Sequence, residues 1–215
     1  MQTCDTLLHA GVLLTQDDDR RVLENAALAI DGGCIVALGY SQDVTAAWQA
    51  REILDLSGML VMPGLVNAHT HAAMTFLRGL ADDMPLMDWL QQKIFPVEQG
   101  LTPNLVRLGS LLGFAEMLRT GTTSCVDMYI FEAAVLEAAD KAGLRCLAGE
   151  GVFNFPSACC PDADAALACT REMAQRWAGH DRLHVAVMPH SVYTTTAAQL
   201  TACLWTPAIC RKTGP

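Results

Sequence analysis

The chain has 215 residues, room for one large domain or two small ones. A hydrophobic content of 52% and a mean hydropathy of +0.26 describe a globular protein and exclude a disordered one. The formal charge of −9 opposes phosphate backbones and so excludes nucleic acid, and no apolar run reaches the ~18 residues of a membrane span.

Met1–Asp5 lacks the basic start of a secretory signal. The nine cysteines are an odd number, have no C-x-x-C pair and include the adjacent Cys159 and Cys160. That spacing fits neither a disulfide framework nor a zinc ribbon, and it predicts reduced thiols in a cytoplasmic protein.

In chain order, short strands come first. Thr6–Thr15 is apolar and gives way to a charged turn over 16–21. Ala26–Ile30 and Cys34–Leu38 flank Asp31-Gly32-Gly33, a hairpin signal because glycine reaches positive φ. Glu52–Leu56 and Met59–Met62 flank Ser57-Gly58, which reads as another turn. Residues 1–62 are therefore expected to form the N-terminal part of a small β-sandwich.

From Pro63 the rhythm becomes strand, loop, helix. Leu65–Asn67 is a buried strand leading into His69, and Thr102-Pro103 is an N-cap and first-turn pair opening a helix to Arg119. A strand follows over 123–128, a helix over 131–142 closed by Gly143, and a strand over 145–148. Asp162 caps a helix to about Trp177, a strand covers 183–188, and a helix follows His190. Four buried strands alternating with helices imply parallel β/α units over 63–203. A complete (β/α)8 barrel takes about 250 residues. The expected class is therefore α/β, the first half of a (β/α)8 TIM-like barrel, followed by an atypical tail over 204–215.

The chemistry concentrates in residues 63–84, PGLVNAHTHAAMTFLRGLADDM. On a strand, residues i and i+2 face the same way, roughly 6.5–7 Å apart. His69 and His71 can thus turn both imidazoles toward one ion, at the end of a barrel strand where active sites sit. An isolated H-x-H pair fits equally well two histidines bonded to backbone carbonyls.

The longer stretch PGLVNAHTHAAMTFLRGLADDMPLMDWL resembles the metal-dependent amidohydrolase superfamily. More narrowly, it is similar to the 5-methylthioadenosine/S-adenosylhomocysteine deaminases and their chlorohydrolase-like relatives, from the N-terminus to about Leu200. The resemblance implies that His69 and His71 are ligands of a divalent metal, Zn2+ by preference. It implies that Glu98, in IFPVEQGL, accepts hydrogen bonds from ribose hydroxyls, and that His190, in VMPHSVYT, contacts a purine. The substrate would be a small purine nucleoside, deaminated by a metal-activated water. Val192 stands where that family usually has proline, which loosens the loop around His190. Guanine deaminases and triazine chlorohydrolases are the alternative members.

The family pattern also includes a third histidine after strand five, a neighbouring glutamate that moves protons, a further histidine, and an aspartate on strand eight. No histidine, aspartate or glutamate follows His190, so no catalytic acid or base is identifiable. The expectation is an incomplete chain, inactive alone, a weak metal binder at most. Its open sheet edges would favour a homo-oligomer. The remaining candidates read as structural: Asp127 as a hydrogen-bond acceptor, Arg78 as a partner of Asp82 or Asp83, and Trp89 as core or pocket wall. His9, His180 and His184 lack convergent partners, and the thiols carry no mark of a nucleophile.

Overall fold

A computed structural model describes residues 1–205; the expected tail lies outside the described residues from position 206 onward. The chain divides into two compact units, Met1–Gly64 and the part from Leu65 onward.

The first unit is one four-stranded sheet with strand order β3-β2-β1-β4 and a short helix. Its elements are β1 (Gln2–Leu14), β2 (Val22–Asp31), β3 (Cys34–Tyr40), α1 (Ser41–Ala47) and β4 (Trp48–Val61). Successive residues of a strand point to opposite faces. Ala27 and Ala29 accordingly join Cys4, Leu7 and Val44 of α1 in one buried cluster, while Ala26 and Leu28 join Ala10 and Leu13 in another. Burial on both faces explains the uninterrupted apolar run of β2.

One expectation for this unit fails. Ser57-Gly58 is not a turn, because β4 runs straight through it. Ala10 pairs with Leu56 but Val12 pairs with Leu60, so the extra residues of β4 are absorbed as a bulge against β1. Residues 41–47, SQDVTAA, form α1 with Val44 as the buried residue, a helix too short and too polar to carry an apolar period.

The second unit is a parallel sheet in the order β5 (Leu65–Thr70), β6 (Thr122–Tyr129), β7 (Arg145–Val152), β8 (Leu183–Val185), with β9 (Met188–Pro189) paired to the far end of β7. The strand expected over 183–188 is thus two short pieces. Between β5 and β6 lie a 3-10 segment (Ala72–Leu77), α2 (Leu86–Trp89), a π-helical turn (Leu90–Ile94), α3 (Phe95–Glu98) and α4 (Pro103–Arg119). Helices α5 (Glu132–Ala142), α6 (Ala163–Arg176) and α7 (Ala197–Trp205) follow their strands. This is an α/β fold, the first half of a (β/α)8 TIM-like barrel. Thr102 accepts the Leu105 amide through its side chain and Asp162 does the same for Ala165, so both caps act as the sequence indicates. Among the described residues no helix is long and apolar enough to cross a membrane.

One packing contact ties the fold to the histidines. A Cβ on Gly109 of α4 would lie 2.2 Å from Cδ1 of Phe76 and 2.5 Å from the Ala73 carbonyl oxygen. Only glycine lets α4 press this closely on the 3-10 segment, which begins directly after His71. Arg78, at the end of that segment, pairs with Glu116 of α4 at 2.7 Å and not with Asp82 or Asp83. The fold decides this, since α4 lies against the segment that ends at Arg78.

Candidate active site

The strands of the second unit end on one side; His69, His71 and His190 lie at their carboxyl ends, and Glu98 ends α3. His69 is the penultimate residue of β5 and His71 follows that strand. The two imidazoles lie with ring centroids 5.1 Å apart at 74°. His71 Nδ1 bonds the backbone carbonyl of Met128 on β6. A carbonyl only accepts, so Nδ1 carries the proton and the lone pair sits on Nε2. This is the tautomer a metal-binding histidine needs, with its orientation fixed from behind. Burial lowers the His71 pKa and keeps the ring neutral.

Glu98 and His190 share the cavity with the two histidines. It measures about 350 Å³ and is otherwise mostly apolar, with Met74, Trp89, Phe95 and Phe153 in its wall. Burial pushes the Glu98 carboxyl above the usual carboxylate range. The Tyr129 hydroxyl lies near Glu98 without completing a hydrogen bond, and burial and then the Glu98 charge raise its pKa. His190 packs its ring 4.9 Å from Phe153 and bonds the Thr194 hydroxyl through Nδ1 at 2.6 Å. Burial, then the nearness of His71 and His69, lower its pKa. Val192 is exposed beyond it.

Asp127 is wholly buried beneath His71. Its Oδ2 accepts the Ala72 amide at 2.8 Å, which fixes the backbone next to the histidine, and burial pushes its pKa up to about 6. Sequence reasoning marked Asp127 as a structural acceptor but missed Tyr129. The signal was present: a strand one residue longer puts Tyr129 on the same face as Asp127. His9 bonds Ser41, and His180 accepts the Arg182 and Leu183 amides while its Nε2 meets Asp140 at 3.3 Å. His180 therefore has partners that spacing alone did not reveal.

The histidine pair suits a divalent metal: Nε2 of His71 is free, and both rings face the same cavity. Among the described residues no further histidine, cysteine, aspartate or glutamate joins them within reach of one ion.

The amidohydrolase family profile matches residues 60–210. A 5-methylthioadenosine/S-adenosylhomocysteine deaminase of Desulfovibrio desulfuricans is 63% identical over 203 residues, 94% of this chain and 46% of that protein. One from Lawsonia intracellularis is 57% identical over the same span. The chain thus covers about half the length of the curated relatives it matches. Among solved structures, an adenosine deaminase from Xanthomonas campestris with bound zinc superposes with a TM-score of 0.91 at 37% identity, covering 94% of this chain and 46% of that one. A triazine hydrolase superposes with a TM-score of 0.82 at 21% identity, which shows a shared fold alone. By profile and by architecture, this chain belongs to the amidohydrolase family.

Proposed function

We propose that the chain contributes the nucleoside-binding half of a hydrolytic deaminase of adenosine-type thioether nucleosides, 5′-methylthioadenosine and S-adenosylhomocysteine. One observation carries the reading: His69, His71, Glu98 and His190 line a single apolar cavity. In this reading His69 and His71 hold a divalent cation, zinc by preference, as two of its protein ligands. When bound, that cation supplies Lewis-acid activation of water for attack on the purine carbon bearing the amino group. The Glu98 carboxylate accepts the ribose hydroxyls, which only donors of that type would satisfy at a half-buried acid. His190 hydrogen-bonds the base, oriented by Thr194 from behind. Trp89, Phe95 and Met74 offer an apolar wall to the thioether and purine faces and exclude water.

A catalytic zinc takes three protein ligands as a rule. With two imidazoles, the His69 and His71 site of the chain by itself holds zinc weakly and turns over no substrate. The free thiols among the described residues suit a reducing compartment, so the reading places the protein in the cytoplasm.

The test is complementation. The chain is co-expressed with the remaining half of the Desulfovibrio desulfuricans relative, and ammonia release is followed with zinc present. Deamination of 5′-methylthioadenosine, lost in His69→Ala and shifted toward ribose-free purines in Glu98→Gln, is expected. Turnover confined to guanine or a chlorotriazine would replace the reading with one of those activities.

A further inference from the structure

A second group of metal-type donors lies away from the histidine cavity. Glu150 is on β7, and Cys159 and Cys160 are in the loop leading to α6. One carboxylate oxygen and the two sulfurs all lie within 4.8 Å of one another. We propose that Glu150, Cys159 and Cys160 form a second metal site, for a thiolate-preferring divalent cation of the zinc class.

The donors are held in place before any ion arrives. Glu150 is 3% exposed, and its two oxygens accept the amides of Phe131 and Glu132, each at 3.0 Å. Those bonds cap the N-terminus of α5 and use one lone pair per oxygen, leaving the others for a further donor or a cation. Cys159 Sγ meets Glu150 Oε1 at 2.9 Å, and Ser157 Oγ lies 3.4 Å from the same sulfur. The Cys160 amide donates to Ser157 Oγ at 3.1 Å, fixing the loop that presents both thiols. Cys160 is itself buried, and its sulfur stands 3.7 Å from that of Cys169 on α6. Two sulfurs on one tetrahedral zinc, each at about 2.3 Å from it, are separated by roughly 3.7–3.8 Å. The Cys160–Cys169 separation matches that spacing, although Cys169 does not lie within 4.8 Å of both Glu150 and Cys159.

The surroundings ask for positive charge. Asp127, Glu132 and Glu150 are all buried, and among the described residues no lysine or arginine pairs with any of them. Neither oxygen of Glu132 has a hydrogen-bond partner. Uncompensated buried acids are costly and are relieved by protonation or by a cation. The Cys159 thiol donates its proton toward Glu150 Oε1, so that proton occupies the place a cation would take between them. Binding a divalent cation releases that proton and the Cys160 proton to solvent, and the ion replaces them with no change of oxidation state. Zinc-class ions favour such mixed sulfur and oxygen donors, whereas calcium and magnesium prefer oxygen alone.

Cobalt(II) is the probe, added to the reduced 215-residue chain. The expected result is a thiolate-to-cobalt charge-transfer absorption in the near ultraviolet that survives His69→Ala combined with His71→Ala. Cys159→Ser should weaken cobalt binding at this site by more than about tenfold, since loss of even an outer partner of a ligand costs about 10–100-fold. A chain with no such absorption, or an absorption untouched by Cys159→Ser, overturns the proposal. Alkylation of the unaltered chain needs no variant: zinc should protect the half-buried Cys159 from iodoacetamide and leave the exposed Cys34 reactive. Equal labelling of Cys159 with and without zinc also overturns it.

Discussion

The two units use parallel strand pairing in different ways. In Met1–Gly64, β1 and β4 run parallel and everything buried is apolar, much of it alanine. From Leu65 onward the parallel sheet buries Asp127, Glu132 and Glu150 beside its apolar core. Every buried polar or charged side chain among the described residues belongs to this second unit. A buried carboxyl weakens a fold unless it is paired. Two of the three fix the backbone where the candidate chemistry sits: Asp127 holds the Ala72 amide after His71, and Glu150 holds the start of α5, whereas the Glu132 oxygens hold no backbone group.

The sharpest way to break this comparison is to neutralise one of those acids. Burial raises Asp127 from 3.8 to about 6, so the folded chain keeps a proton that the unfolded chain releases. Stability from this group is full below about pH 4 and is lost as pH rises through about 6. His71 and His190, lowered by burial, act in the opposite sense, so the variant must be read against the unaltered chain. Asp127→Asn retains an oxygen for the Ala72 amide and turns an NH2 toward the Glu132 carboxyl. Relative to the unaltered metal-free chain, it should gain about 3 kcal/mol as pH rises from about 3 to about 7, measured by urea unfolding. A pH-independent difference would show that Asp127 carries no burial cost.

A smaller effect separates the units by packing. Gly109→Ala drives a methyl into Phe76 and the Ala73 carbonyl, and Gly11→Ala drives one to 2.2 Å from the Ser57 carbonyl oxygen in the first unit. Each should cost about 2 kcal/mol. Only Gly109→Ala should also weaken zinc binding, because the segment it displaces begins after His71. Calorimetric titration with zinc distinguishes the two, and equal affinities would break the link between α4 and the site. Smallest is Thr102→Ala, which removes the cap of α4 and should cost about 1 kcal/mol without altering zinc affinity.

What could be read from the sequence was local. The H-x-H pair, the Thr102 and Asp162 caps and the alternation of strands and helices depend on neighbours within a few residues, and all appear in the structure where the sequence puts them. Ser57-Gly58 misled because a bulge and a turn use the same residue types, and only the partner strand tells them apart. The grouping of Glu150 with Cys159 and Cys160 was invisible for another reason. It depends on a loop folding back across the end of β7, and the spacing matches no metal motif. Tyr129 was lost by a strand boundary one residue short.

The measurement closest to the central claim is imidazole nitrogen NMR of the 15N-labelled chain, without zinc and with it. Without zinc, His71 should show the Nδ1-protonated tautomer set by the Met128 carbonyl. Zinc should then shift His71 Nε2 and a ring nitrogen of His69 together, leaving exposed His184 unmoved. If zinc moves neither His69 nor His71, the pair is no metal site and the proposed chemistry fails.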